Sequence, residues 1–325
     1  MAYSNEVVRR ARRRLESMKS DRESLQQARL QEVYAKVPRV WEIDGQLRLS
    51  MVMAVQAAFQ RGDTGPDALA EVREANLALQ AERKNLILAQ FPEEYLDESP
   101  ICDHCGGSGY IGSHMCVCLL DLCREEQKKE LSLLAANNVS FSQFRLEYYL
   151  ETVDPKYGAS PRTIMTKILE ICRKYAANFA AGAGNLLFNG GTGLGKTFLS
   201  ACIAQEVADK GFSVAYESAQ HLFAKLERDR FHPDEESAAA VRHLSGCDLL
   251  IVDDLGTELP GSFTTAALYN IVNDRLLAGK PMIISTNLNI SEIFERYSPQ
   301  IASRLQGNFQ LLPFVGEDIR VLKNK

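Results

Sequence analysis

An α/β fold built on a parallel sheet, preceded by a helical region and a small metal knuckle, is what this sequence predicts. Three observations carry the prediction. From residue 185 onward, short apolar runs alternate with helical stretches, the pattern of strands joined by helical crossovers. Ahead of them lie three long stretches with helical spacing and no Gly/Pro-rich interior. Between the two regions, five of the eight cysteines crowd between Cys102 and Cys123. A chain of 325 residues suggests about two domains. With 46% apolar and 24% charged residues, disorder throughout is excluded. No run approaches the roughly 18 apolar residues of a membrane span. The charged N-terminus lacks the apolar stretch of a secretory signal, so a cytoplasmic location without membrane partners is expected. The net charge of −5 excludes a globally basic nucleic-acid coat; any such contact must come from a local patch.

In chain order, residues 4–36 read as a helix, with Val8, Ala11, Leu15 and Met18 as an apolar stripe, stopped by Pro38. A second helix is expected over 43–61, closed by the turn-like Gly62-Asp63-Thr64-Gly65, and a third over 66–90, stopped by Pro92. Trp41 is expected in core or interdomain packing. The cysteine run occupies about 100–123, and a polar helix is expected at 124–136. Phe141, Phe144, Leu146 and Tyr149 then fall in a linker, and a helix follows at 162–180. The strands are expected at 185–188, 213–216, 249–252, 282–285 and about 309–315. The resulting division is 1–97 helical and partner-binding, 98–136 knuckle and helix, 137–160 linker and 161–325 α/β domain.

Gly190-Gly191-Thr192-Gly193-Leu194-Gly195-Lys196-Thr197 fits the phosphate-loop pattern G-x4-G-K-[ST] at every fixed position. Glycines let the backbone wrap phosphate and turn its N–H groups inward. The helix expected from Phe198 adds its positive N-terminal end. Lys196 can reach the β- and γ-phosphates of ATP, and the Thr197 hydroxyl can ligate Mg²⁺. Leu249-Leu250-Ile251-Val252-Asp253-Asp254 is an apolar strand ending in two acids. Asp253 is expected to hold Mg²⁺ through water, and Asp254 to orient or deprotonate the attacking water. Glu258 reads as a surface acid, with a general base as the alternative. Asn287 ends the strand Ile283-Ile284-Ser285-Thr286, where open α/β sheets bind ligands. It can meet the γ-phosphate or simply cap the strand.

Four thiolates lie within seventeen residues in Cys102-x2-Cys105 and Cys116-x-Cys118, enough for a tetrahedral Zn²⁺ shell. Gly106, Gly107 and Gly109 allow the tight turn that points backbone amides at sulfur. Cys102 to Gly109 resembles one C-x-x-C-x-G-x-G element of chaperone zinc domains; the C-x-C half departs from it. His104, His114 and Cys123 are reserve ligands, and a redox pair or an iron–sulfur cluster are the other readings. Cys172, Cys202 and Cys247 read as small core residues. Arg9, Arg10, Arg12, Arg13 and Arg14 form a basic run that can be a solvated face or can touch DNA phosphate or an acidic partner. Lys225, Arg228 and Arg230 are the second local patch open to DNA, beside Phe223 and Phe231, which read as core.

The phosphate loop, the double-Asp strand and the Ser-Thr-Asn strand together resemble the AAA+ ATPases. Leu255-Gly256-Thr257-Glu258 and Ile301-Ala302-Ser303-Arg304-Leu305 look like the bacterial DnaC/DnaI helicase-loader group, which also includes IstB-type transposition ATPases. The resemblance covers about 140–325. It implies a sheet of order 5-1-4-3-2, ATP bound between self-assembling subunits, and Arg304 as an arginine finger entering a neighbour's site. Arg320 matches a family arginine that acts as a second sensor. About ten residues follow the last expected strand, so the helical lid of typical AAA+ proteins is expected to be absent or rudimentary. The implied role is loading of a hexameric replicative DNA helicase, with single-stranded DNA held by the ATPase domain and slow ATP turnover. Loaders of DnaI type also carry a zinc-binding N-terminal region. A transposition ATPase, or a nucleotide-gated adaptor with little hydrolysis, are the other readings.

Overall fold

The computed structural model describes residues 3–60, 66–97, 99–134 and 139–322; the turn expected at 62–65 lies outside the described residues. Two compact units make up the chain. One holds Arg14–Cys116, the other Met1–Arg13 together with Val117–Lys325.

Three helices, α1 (Asn5–Lys36), α2 (Pro38–Gln60) and α3 (Pro66–Leu88), occupy the region expected to be helical. Helix α2 begins at Pro38 and not at 43. Proline is tolerated there because first-turn N–H groups have no partner inside the helix. Val33, Val37, Val40, Ile87 and Phe91 form the small core of the first unit, with Tyr34 and Tyr95 packed against it. Trp41, expected in packing, is 59% exposed. The buried stripe of α1 is Val7, Ala11 and Leu15, while Met18 is exposed.

The second unit is a five-stranded parallel sheet. Its strands are β3 (Asn185–Asn189), β4 (Val214–Ser218), β5 (Leu249–Leu255), β6 (Met282–Thr286) and β7 (Phe309–Pro313); a hairpin of two-residue strands, β1 (Tyr110–Ile111) and β2 (His114–Met115), belongs to the knuckle of the first unit. The spatial order β4-β5-β6-β3-β7 is the expected 5-1-4-3-2 when the sheet strands are numbered along the chain. Alternation within each strand feeds two cores. Leu186, Phe188, Ile251 and Ile283 face helices α5 (Pro161–Ala177) and α6 (Lys196–Asp209). Leu187, Leu250, Val252 and Ile284 face the other side. That side carries α7 (Ala219–Phe231), α8 (Glu235–Gly246), α9 (Ser262–Leu277), α10 (Ile290–Arg296) and α11 (Pro299–Asn308). Caps fix the helix starts: Ser160 accepts from the Thr163 N–H ahead of Pro161, and Asn289 forms a capping box with Glu292.

Helix α4 (Val117–Leu134) starts inside the cysteine run, not at 124. It covers the edge strand β4. The Gln127 amide donates to the Phe212 carbonyl and accepts from the Val214 N–H, each at 3.0 Å, so backbone groups at the sheet edge are satisfied by a side chain. The N-terminal end of α1 lies on this unit as well. Arg10 reaches Glu130 at 2.7 Å and Glu126 at 3.6 Å, and the Tyr3 hydroxyl donates to the Gly211 carbonyl at 3.3 Å. Residues 139–160, expected as a linker, include Phe141 and Tyr149 in the core of the α/β unit.

Candidate nucleotide-binding site

The C-terminal ends of β3, β5 and β6 open on one side of the sheet. Between them and residues 139–148 lies a cavity of about 500 Å³. Thr192, Gly193, Leu194, Gly195, Lys196, Thr197 and Phe198 line it, with Asp254, Asn287 and Arg320. Gly190 and Gly191 stand behind, as acceptors for lysine. The three protons of the Lys196 ammonium go to the Gly190 carbonyl (2.7 Å), the Gly191 carbonyl (2.6 Å) and Asn287 Oδ1 (2.6 Å). Phosphate-loop lysine and strand-end asparagine, 91 residues apart, are thereby joined. Burial pulls the Lys196 pKa below its ordinary value, against the nearby charges of Asp254 and Asp253.

The two acids of β5 occupy different places. Asp253 is buried behind the cavity wall. It accepts from the Ser285 hydroxyl and, at 3.0 Å, from the Tyr216 hydroxyl. Asp254 faces the cavity with φ of 54°, a left-handed conformation uncommon outside glycine. Neighbours hold it there: its N–H donates to Ser285 Oγ at 2.9 Å, and its carbonyl accepts from the Thr257 hydroxyl at 2.9 Å. Burial, and then the adjacent Asp253 charge, raise the Asp254 carboxyl above its ordinary value. That shift suits a group taking up a proton from water.

Glu258 is not a surface acid. It is 5% exposed, accepts from the Gly256 N–H at 2.9 Å, and meets the Tyr297 hydroxyl and the Arg296 guanidinium. The Glu258 carboxylate anchors the loop after Asp254 to the end of α10. Its three donors make it a structural ion-pair carboxylate, so the general-base alternative has no support from geometry.

Residues expected to be a connection supply the wall opposite the strand ends. Val139, Phe144, Arg145 and Tyr148 line the cavity. Phe144 packs on Tyr149 and Phe198 with ring centroids 5.8 and 5.9 Å apart. The buried Tyr149 hydroxyl donates to the Leu194 carbonyl of the phosphate loop at 2.9 Å. The signal was legible in the aromatic density of 141–149, but not its destination. The far end of the chain closes the same site: the Ile319 N–H donates to the Gly193 carbonyl at 3.1 Å, and Ile319 and Arg320 line the cavity. One short helix, α12 (Ile319–Leu322), is all that follows β7 among the described residues.

A family profile described as IstB-like ATP binding protein matches residues 122–301.

The chain belongs to the IstB-like ATP-binding family.

Among curated relatives it is similar to the replicative helicase loader DnaC of Escherichia coli, 23% identical over 138 residues, covering 42% of this chain and 56% of that one. A putative insertion sequence ATP-binding protein of Sinorhizobium fredii is 30% identical over 141 residues, again 42% and 56%. The chain thus spans little more than half the length of these relatives. A crystal structure of DnaI superposes with a TM-score of 0.46 at 18% identity, covering 59% of this IstB-like chain and 98% of that one.

Arg304 does not line the cavity of its own chain. On α11 it is held over the Tyr269 ring, 4.4 Å from the centroid, and bonds the Tyr269 hydroxyl at 2.8 Å and Asn273 Oδ1 at 2.9 Å. The cysteine run does converge. The sulfurs of Cys102, Cys105, Cys116 and Cys118 all lie within 4.8 Å of one another. Cys102 and Cys116 are 3.7 Å apart, against about 3.8 Å for a tetrahedron with metal–sulfur bonds of about 2.3 Å. The Gly109 N–H donates to Cys105 Sγ at 3.2 Å, as the glycine turn led one to expect. These four residues can hold a metal ion. Cys123 is not one of them; it is fully buried on α4, and burial pushes its thiol up to about 11.

Several residues of the basic patches are locally paired. Arg9 bonds Glu6, and Arg10 turns to α4. Lys225 pairs with Glu217, and Arg228 with Asp234 and Glu236 at 2.7 and 3.1 Å. Phe223 is buried as expected, whereas Phe231 is 59% exposed beside Phe263. No described helix is long and apolar enough to cross a membrane.

Proposed function

We propose that this chain is an ATP-dependent loader of a hexameric replicative DNA helicase, hydrolysing ATP slowly and in assembly with copies of itself. The observation that carries the reading is one cavity lined by Lys196, Thr197, Asp254 and Asn287, with Asp253 buried behind its wall, in an IstB-like chain that also resembles a DnaC loader. The helical unit and the cysteine knuckle on the same chain support a partner-binding N-terminal region. The knuckle is assigned to structural Zn²⁺, which stabilises a segment too short to bury a core of its own.

Mg²⁺ bound with ATP would supply charge neutralisation at the β- and γ-phosphates, with the Thr197 hydroxyl and the Asp253 carboxylate as its holders. Lys196 exchanges loop carbonyls for phosphate oxygens. Asp254, with its raised pKa, accepts the proton of the attacking water. Asn287 orients that water or the γ-phosphate. Phe144, Tyr148 and Ile319 offer the apolar wall for the base. Arg320 neutralises phosphate charge from the C-terminal side. Arg304, outside its own cavity, acts in a neighbour's site, and single-stranded DNA is held by the assembled ATPase units.

A second reading is favoured by a specific observation, the 30% identity to an insertion sequence ATP-binding protein. There the partner is a transposase. The test immobilises the full-length protein with ATP and offers the host's replicative helicase and the transposase separately. Capture of the helicase supports loading; capture of the transposase alone overturns it. Arg304→Ala is expected to leave nucleotide affinity intact while lowering assembly-dependent hydrolysis, and unchanged hydrolysis would sink the finger assignment.

A further inference from the structure

Both oxygens of the Asp253 carboxylate are held. Ser285 Oγ donates to Oδ1, and the Tyr216 hydroxyl donates to Oδ2 at 3.0 Å. Ser285 is itself placed by the Asp254 N–H, which donates to its oxygen at 2.9 Å. Tyr216 comes from the edge strand β4, which pairs in parallel with β5 through Tyr216 opposite Ile251 and Ser218 opposite Asp253. The Tyr216 hydroxyl also lies 3.4 Å from the Thr197 carbonyl in the first turn of α6. A phenol has one proton. The nearer and charged acceptor takes it, since hydrogen bonds to ionised groups are the stronger. One hydroxyl therefore stands where the edge strand, the acidic strand and the helix of the phosphate loop meet.

We propose that Tyr216 is a positioning residue for Asp253, fixing the carboxylate in the orientation that receives the magnesium of a bound metal–nucleotide. The inference rests on the ATPase reading above. The terminal torsion of an aspartate is broad and roughly two-fold, so a carboxylate held at one oxygen can still swing. Ser285 supplies one fixed point and Tyr216 the second. Each carboxylate oxygen has about two acceptor sites, so one hydroxyl bond per oxygen leaves each free to receive a further ligand. Outer partners of this kind tune metal affinity by orienting the inner ligand.

The test is Tyr216→Phe, which keeps the ring and removes only the donor. Affinity for a fluorescent ATP analogue is measured in EDTA and across a magnesium titration, alongside the urea midpoint of the full-length chain. Expected are an unchanged affinity in EDTA and a magnesium requirement raised about tenfold. In an Asp253→Asn background the same change is expected to add nothing. A magnesium titration identical to wild type overturns the assignment. So does an equal loss of affinity with and without magnesium, which would mark a packing role. If Tyr216→Phe does not fold, the hydroxyl serves the fold itself and the proposal is wrong. A wild-type protein that binds the analogue but ignores magnesium refutes this inference alone. One that binds no nucleotide refutes the ATPase reading and this inference with it.

Discussion

Replacing Gly193 by alanine is expected to destabilise the α/β unit by about 3–4 kcal/mol, and removing the Asp318 side chain as well should restore about 1 kcal/mol, the Ile319 bond. Gly193 has φ of 69°, and a Cβ built on it would sit 1.8 Å from Asp318 Oδ1. The left-handed conformation costs an alanine about 1–2 kcal/mol. The overlap is too deep for a small adjustment, so the segment carrying Asp318 must shift. That shift threatens the Ile319 N–H bond to the Gly193 carbonyl and the Arg320 N–H bond to Asp318 Oδ1, at about 1 kcal/mol each. Asp318→Ala removes the obstruction but not the backbone strain. The double variant should therefore be more stable than the two single losses added together. Urea unfolding of the four proteins without nucleotide gives the comparison. Additivity to within about 0.5 kcal/mol would mean that the residues do not meet as described, and would refute the reasoning.

Three further changes test other parts of the structure. Tyr149→Phe keeps the ring but leaves the buried Leu194 carbonyl without its donor; a loss of about 1–2 kcal/mol in thermal melting is expected, with weaker binding of a fluorescent nucleotide. Arg275 is fully buried, with its guanidinium on the carbonyls of Leu244, Cys247 and Pro281 at 2.8, 3.1 and 2.8 Å. Arg275→Met fills much of the volume yet strands these acceptors, so urea unfolding should show a loss of about 3–5 kcal/mol. Cys105→Ser should abolish bound zinc in metal analysis, whereas Cys123→Ser should retain one equivalent; a fall in both would enlarge the ligand set.

The sequence determined the parts whose chemistry is local. The phosphate loop is legible because eight consecutive residues must satisfy one backbone path around phosphate. The sheet order followed from a resemblance carried by three strand-end motifs, and the strand positions from apolar runs bounded by turns. The four cysteines were legible because their spacing already confines the sulfurs. Tertiary structure alone decided which residues complete each site. Phe144 and Tyr149 reach the loop from some fifty residues upstream, and Ile319 and Arg320 from more than a hundred downstream. Glu258 read as a surface acid because nothing near it in sequence announces Tyr297 and Arg296. Arg275 carries no signal in the sequence, since its acceptors are carbonyls, which every residue carries. Tyr216 reads in the sequence as one more residue of an apolar strand run, and only the pairing of β4 with β5 brings its hydroxyl to Asp253. The physical reason is common to all of them. A buried polar group is tolerated only where distant segments bring its partners, and a linear pattern of hydrophobicity does not encode those meetings.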